Sequence, residues 1–325
     1  MKRSRTDWRL TRRELITVSM GAFVVASLPL ASRRRRLYRR SVPLMGTVAD
    51  VAVAHRSAAE AATAIDAALS ELRRIERLMT RFDRSSDVGR LNAAPAGRPV
   101  AISPDTAAVL TAALGWAARS DGKFDPCIGR LTELWDVGNR RTPPAAADVR
   151  ALAGRRLYRV LELDARAGVA ALGAAEAAVD LGGIAVGYAV DRAVLALRER
   201  GIRDGLINVG GDIYALGEAP GGGPWRVGVR APGDLAHLAT TVELSDEAIT
   251  TSGDYMQYFT YRGRRYHHLL DPDTGEPVRG PYHSLTVAAP SCLVADAGAT
   301  AAFGLPRAEA ERLLAGAGAR VVDLE

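Results

Sequence analysis

The chain has 325 residues, 48% of them hydrophobic, enough to bury a sizeable core in one or two domains. Its net charge of +6 is lopsided: residues 1–40 carry twelve basic and two acidic side chains, leaving 31 basic and 35 acidic on the rest. The body is mildly acidic, so a nucleic-acid partner has no support from the overall charge. Cys127 and Cys292 have no ligand partner at metal-site spacing; each sits in an apolar context and reads as a small core residue, with a disulfide between them left open.

Residues 1–40 predict an export signal or a short anchor. Thr11-Arg12-Arg13-Glu14-Leu15-Ile16 resembles a twin-arginine address, and an uncharged run follows to Ser32. That run is at the lower edge of membrane-spanning length. No small-x-small cleavage site precedes Arg33–Arg36, so cleaved and retained forms both fit.

From residue 41 onward the patterns predict a mixed body. Ser41 to Ala54 alternates and is rich in valine, as a strand does. Apolar residues recur at helical spacing from Ala59 to Met79. Ser103-Pro104 caps a helix that runs to about Ser120, where Asp121-Gly122 stops it. A short helix is expected near Ala146–Ala153, and a longer one from Val186 to Arg200. Leu206–Val209, Trp225–Arg230, Thr240–Leu244, Ile249–Thr251 and Ser284–Ala289 read as strands. Met256–Tyr261 and Arg265–Leu270 flank a hairpin turn at Arg262-Gly263. Ser291 caps a helix from Cys292 to Phe303. Without a regular βαβ rhythm, the fold class is α+β, one unit of at most two lobes.

Five stretches carry chemistry. Asp180-Leu181-Gly182-Gly183 opens a helix, where glycines let backbone reach an anion; a plain tight turn explains it equally well. Asn208-Val209-Gly210-Gly211-Asp212 is a second such turn. Thr250-Thr251-Ser252-Gly253 offers short hydroxyl donors, or is an ordinary edge strand. His268 ends a strand before the acidic turn Asp271-Pro272-Asp273-Thr274-Gly275, and could deprotonate a nucleophile or be structural; His267 faces the other way. Asp296 and Thr300, four apart on a helix, share a face and are hard oxygen donors suited to Mg²⁺ with phosphate, or to a capped polar patch.

In this order the stretches resemble the ApbE-like family, the FAD:protein FMN transferases. Further elements carry the resemblance: Met45-Gly46-Thr47, the Thr80–Asp87 loop with Arg90-Leu91-Asn92, and Phe124-Asp125-Pro126-Cys127-Ile128-Gly129 with Leu134-Trp135. The match spans about Met45 to Leu305, giving a 41–325 transferase domain around a flavin cleft. The resemblance implies FAD as substrate, Mg²⁺ as cofactor, and transfer of FMN to a threonine or serine of an exported acceptor with an Asp-x-x-Thr/Ser-Gly-type motif, releasing AMP. It places Met45, Phe82, Phe124, Asp125, Asp180, Val186 and Leu270 at the FAD site. It assigns Mg²⁺ to Asp296 and Thr300 with backbone carbonyls of Gly183 and Ala299, and makes His268 the general base. The family usually has lysine at Val186, threonine at Cys127 and proline at Arg130, and some members have an acidic residue at Ala299. Arg130 and Lys123 are candidates to restore the missing charge. FAD hydrolysis to FMN and AMP, or flavin binding without turnover, are the alternatives.

Overall fold

The computed structural model describes residues 15–16, 23–26 and 35–325 except 233, with side chains from 35 onward apart from 233–236. The twin-arginine segment lies outside the described residues, save two short strands, β1 (Leu15–Ile16) and β2 (Phe23–Ala26). No helix among the described residues is long and apolar enough to cross a membrane.

The remaining elements, in chain order, are β3 (Arg36–Leu44), β4 (Thr47–His55), α1 (Ala58–Met79), α2 (Asp87–Ala93), β5 (Val100–Ala101), α3 (Pro104–Arg119), α4 (Gly129–Trp135) and α5 (Ala146–Leu152). Then come β6 (Leu161–Asp164), β7 (Val169–Leu172), α6 (Ala185–Glu199), β8 (Gly205–Val209), β9 (Asp212–Leu216), β10 (Trp225–Ala231), β11 (Asp234–Leu244) and β12 (Glu247–Gly253). The chain ends with β13 (Tyr258–Tyr261), β14 (Arg264–His267), β15 (Ser284–Ala289), α7 (Cys292–Ala302), α8 (Arg307–Ala315) and β16 (Arg320–Leu324).

A seven-stranded antiparallel sheet in the order β16-β15-β12-β9-β8-β4-β3 organises the body. Helices α1, α6 and α7 cover one face through a core that includes Leu69, Leu72, Ile75, Val190 and Leu197. Trp225, Val227 and Val229 of β10 pack with Leu206, Ile213 and Ile249 in a second cluster on the sheet. With apolar packing on both sides, β8 is buried at every residue, including Asn208, whose side chain accepts the Gly211 N–H. A satellite cluster joins α4 and α5 to the β13–β14 hairpin through Leu131, Trp135, Val149, Phe259 and Leu270.

Most expected elements form within a few residues of their predicted ends. The capping serines do what their position predicts: Ser57, Ser103 and Ser291 each accept a backbone N–H from the first turn of α1, α3 and α7. Two departures concern the site. Ser41–Ala54 is not one strand but two, β3 and β4, joined by Met45-Gly46 with φ of 54° and 69°. Such a two-residue turn needs left-handed backbone at both positions, and methionine gives no sequence signal of it. The Thr250–Ser252 run lies in β12, an interior strand of the sheet, but β9 pairs only with residues 247–249, so the run itself is bonded on one side, to β15. The ordered sheet also begins at Arg36, so Arg39 and Arg40 pair with Asp50 and Asp66 as part of the body.

Candidate active site

The stretch DLGGIAVGYAVD places Gly183, Gly187 and Asp191 four residues apart, on one stripe of α6 and the turn before it. That stripe faces Thr300, Asp296 and Cys292, spaced four apart along α7 in the opposite direction. Both glycines are required by this contact. A Cβ at Gly183 would lie 2.8 Å from Thr300 Oγ1, and one at Gly187 would lie 2.4 Å from the Cys292 carbonyl oxygen. The two helices cap each other: the Gly187 N–H donates to Asp296 Oδ2 at 3.1 Å, while Cys292 and Leu293 N–H donate to Asp191 at 2.7 and 2.9 Å. Gly187→Ala is expected to cost about 1–3 kcal/mol or more, because the clash is with backbone. Urea unfolding measures this; parental stability would show that the helices are not pinned there.

Beneath the contact lie three carboxylates. Asp296 is 8% exposed and makes a single hydrogen bond, that from Gly187. Burial and then the neighbouring Asp212 push its carboxyl well above the usual range. Burial likewise raises Asp191 and Asp212 to about 6, against hydrogen bonds that lower them. A buried carboxylate with two acidic neighbours is an electrostatic cost that a bound cation removes. The Thr300 hydroxyl lies on the same stripe against Gly183, and the Ala299 carbonyl accepts the Phe303 N–H; a carboxylate with a hydroxyl is the hard-oxygen chemistry that Mg²⁺ takes. Among the described residues no three His, Cys, Asp or Glu side chains converge as a metal cluster, so the protein would supply only part of a coordination shell.

The raised Asp212 carboxyl predicts a pH effect. Its folded pKa of about 6 lies above the unfolded value, so protonation favours the fold, and that advantage is lost as pH rises through 6. Asp212→Asn keeps an acceptor for Thr250 Oγ1 and removes the charge. The metal-free variant should therefore melt above the parent at pH 8, with the difference vanishing below about pH 4. A gap that widens on acidification would contradict this.

Uncompensated positive character beside the stripe comes from backbone; Arg81 is paired with Asp180 and, at 3.7 Å, with Glu133. Val186 is half-buried in the first turn of α6, against the main core. Its N–H has no hydrogen-bond partner among the described residues, leaving an unpaired donor at the positive end of a 15-residue helix. Asp180 Oδ1 accepts the Gly182 N–H at 2.9 Å, and its Oδ2 lies 3.4 Å from Arg81 Nε. Arg81 also lies over the Phe82 ring, 4.4 Å from its centroid. Phe82 is 83% exposed, an aromatic face open for stacking. Of the candidates for the missing cation, Arg130 shares Glu133 with Arg81, and Lys123 lies between Asp271 and Asp273. Sequence reasoning missed Arg81, though it adjoins Phe82.

Of the other predicted residues, those of the 124–129 loop are brought to Asp180, whereas Met45 and Leu270 are tied to other elements. Asp180 N–H donates to the Pro126 carbonyl, and Gly129 N–H to that of Ala178, bringing the Phe124–Gly129 loop beside Asp180. Asn92 fixes the same strand by bonding both the N–H and the carbonyl of Val179. Phe124 is buried, and the Asp125 carboxylate turns inward to accept the Cys127 and Tyr158 N–H groups, so its role is to hold the loop. Met45 donates its N–H to Glu76 from the hairpin turn. Leu270 is buried in the satellite cluster. Cys127 and Cys292 are free, buried thiols, not a disulfide.

His268 Nδ1 lies 3.3 Å from the Gln257 carbonyl, which only accepts; Nδ1 therefore carries the proton and Nε2 keeps its lone pair. Burial lowers the imidazole to about 4, partly opposed by the Gln257 carbonyl and the charge of Asp180, so the ring is neutral near pH 7. His267 bonds the Val278 carbonyl through Nε2 and packs edge-on to Phe303, as a structural residue does. Of the hydroxyl run, Thr250 bonds Asp212 and Thr251 bonds Thr286 across the sheet, so neither is free for a ligand. Thr274 bonds Asp271 within its turn.

Residues 45–322 match the ApbE family. The FAD:protein FMN transferase of Treponema pallidum is 32% identical over 322 residues, 94% of this chain and 87% of that protein. The Vibrio cholerae enzyme of the same name is 33% identical over 240 residues, 73% of this chain and 71% of its own. The crystal structure of the ApbE protein from Thermotoga maritima superposes with a TM-score of 0.80 at 30% identity, covering 89% of this chain and 96% of that one.

Proposed function

The chain belongs to the ApbE family, and on that premise we propose that it moves the FMN half of FAD onto a serine or threonine hydroxyl of an acceptor protein and releases AMP. The observation that carries this reading at the site is the buried, repelled carboxylate of Asp296, set beside Thr300 at the N-terminal end of α6. Such an arrangement is built for a cation and a pyrophosphate together.

The residues take the following parts. Asp296 and Thr300, with the carbonyls of Gly183 and Ala299, would hold Mg²⁺. Bound there, the ion neutralises pyrophosphate charge and fixes it for in-line displacement. The unpaired Val186 N–H and the α6 dipole would meet phosphate oxygens where the family usually has a lysine. Phe82, the Met45 turn and the Phe124–Gly129 loop bound the flavin nucleotide. His268 Nε2 takes the proton of the acceptor hydroxyl as its oxygen bonds the FMN phosphorus. The bond from that phosphorus to the bridging oxygen breaks, and AMP leaves with that oxygen.

Incubation with FAD, Mg²⁺ and an acceptor carrying an Asp-x-x-Thr/Ser-Gly segment tests this. Covalently flavinylated acceptor with equimolar AMP is expected. AMP with free FMN would establish hydrolysis instead, and FAD binding with neither product would remove both enzymatic readings. The N-terminal segment directs export to the periplasmic or cell-surface side in the same proposal, either cleaved or retained at the membrane. Changing Arg12 and Arg13 to lysine in a reporter fusion should block export; unimpaired export would refute the twin-arginine route.

A further inference from the structure

The β13–β14 hairpin belongs to a two-stranded sheet, so β13 has one edge with no partner strand among the described residues. Its polarity follows from the ladder. The Gln257 carbonyl accepts the His268 N–H, directing residue 257 toward β14, and the backbone groups alternate along the strand. Tyr258 and Thr260 therefore turn their N–H and C=O groups outward. Along this edge runs an open cleft of about 480 Å³ between residues 256–260 and the Val137, Gly138 and Arg141 loop. Its floor is fixed by Phe259, which is buried against Tyr266, itself stacked on Trp135. Its rim exposes Met256 and Tyr258.

One residue ties the cleft to the chemistry. Gln257 lines it, and the Gln257 carbonyl also holds the His268 Nδ1–H. The surroundings are basic. Arg140 and Arg262 have no carboxylate partner among the described residues, and Arg141 bonds only backbone carbonyls of its own loop. The nearby Arg264 and Arg265 are already matched by Glu276 and Asp254. An unpaired strand edge, an open cleft and uncompensated cations together suit an extended, acidic polypeptide.

We propose that this cleft seats the acceptor: an acidic, extended segment of the acceptor protein pairs with β13 through Tyr258 and Thr260 and so brings its hydroxyl to His268. This rests on the transferase reading and names the surface that recognises the second substrate. FAD is not expected to touch it.

The test uses the full chain, FAD, Mg²⁺ and two synthetic peptides carrying one Asp-x-x-Thr-Gly segment, flanked by glutamates in one and lysines in the other. The parent should use the glutamate peptide with the lower KM. Arg141→Glu with Arg262→Glu should raise that KM about tenfold or more and reverse the preference, with FAD affinity unchanged. Thr260→Pro removes one outward N–H at an edge position that tolerates proline, and should raise KM for both peptides. Unchanged KM in both variants, or equal use of the peptides by the parent, would overturn the inference while leaving transfer intact. A parent that binds FAD but modifies neither peptide nor any acceptor protein would overturn the transferase reading, and this inference with it.

Discussion

Asp296→Asn is expected to lower FMN transfer about 10²–10³-fold, the effect of several kcal/mol of lost charge stabilisation at a phosphoryl centre. The same change should stabilise the metal-free fold at neutral pH. The folded carboxyl is raised far above its unfolded value by burial and by Asp212, so at pH 7 its charge opposes folding. An asparagine oxygen still accepts the Gly187 N–H, so the cap on α6 is retained. Activity and melting temperature thus move in opposite directions. A residue that merely supported the fold would lower both. The expected pair of results is read from AMP release and from thermal unfolding in chelator; a variant with parental turnover would remove Asp296 from the site.

His268→Ala is expected to lower kcat by about 10²–10⁴-fold, the usual contribution of a general base. FAD binding should change little, since the ring is held by Gln257 and not by the nucleotide loop. The pH profile gives a second readout. With the imidazole lowered to about 4, His268 remains unprotonated well below the pH at which a free histidine would be charged. Any acid limb of the parent due to His268 should fall near pH 4 rather than 6.5. Added imidazole should partly restore the alanine variant. An alanine variant with parental kcat, or a His268-dependent limb at 6.5, would contradict this role.

Much of the site was legible because its residues carry local signals. Asp296 and Thr300 share a helix face by spacing alone, and Ser291 marks where that helix starts. The strand before His268 follows from its hairpin turn. What was not legible depends on contacts across the fold. Gly187 reads as an unremarkable residue inside α6 until the Cys292 carbonyl is found against it. Asp191 and Asp212 gain their meaning from burial beside Asp296, which no sequence window holds. Arg81 meets Asp180 across the fold, where residues 178 and 180 bond the 126–129 loop. Conversely, Thr250 and Thr251 looked like phosphate donors, yet cross-sheet partners take their hydroxyls. The Met45 turn escaped because left-handed backbone at methionine is set by the hairpin and not by the residue.

The proposed chemistry has one location, the stripe where Gly183 and Gly187 meet Thr300 and Asp296. Crystals soaked with FAD and Mn²⁺, a scatterer that takes the same oxygen ligands as Mg²⁺, locate the ion directly in an anomalous-difference map. A peak is expected within coordination distance of Asp296 and Thr300, with the FAD pyrophosphate beside the first turn of α6. A pyrophosphate bound elsewhere, or an ion that leaves Asp296 uncoordinated in the presence of FAD, would contradict this placement.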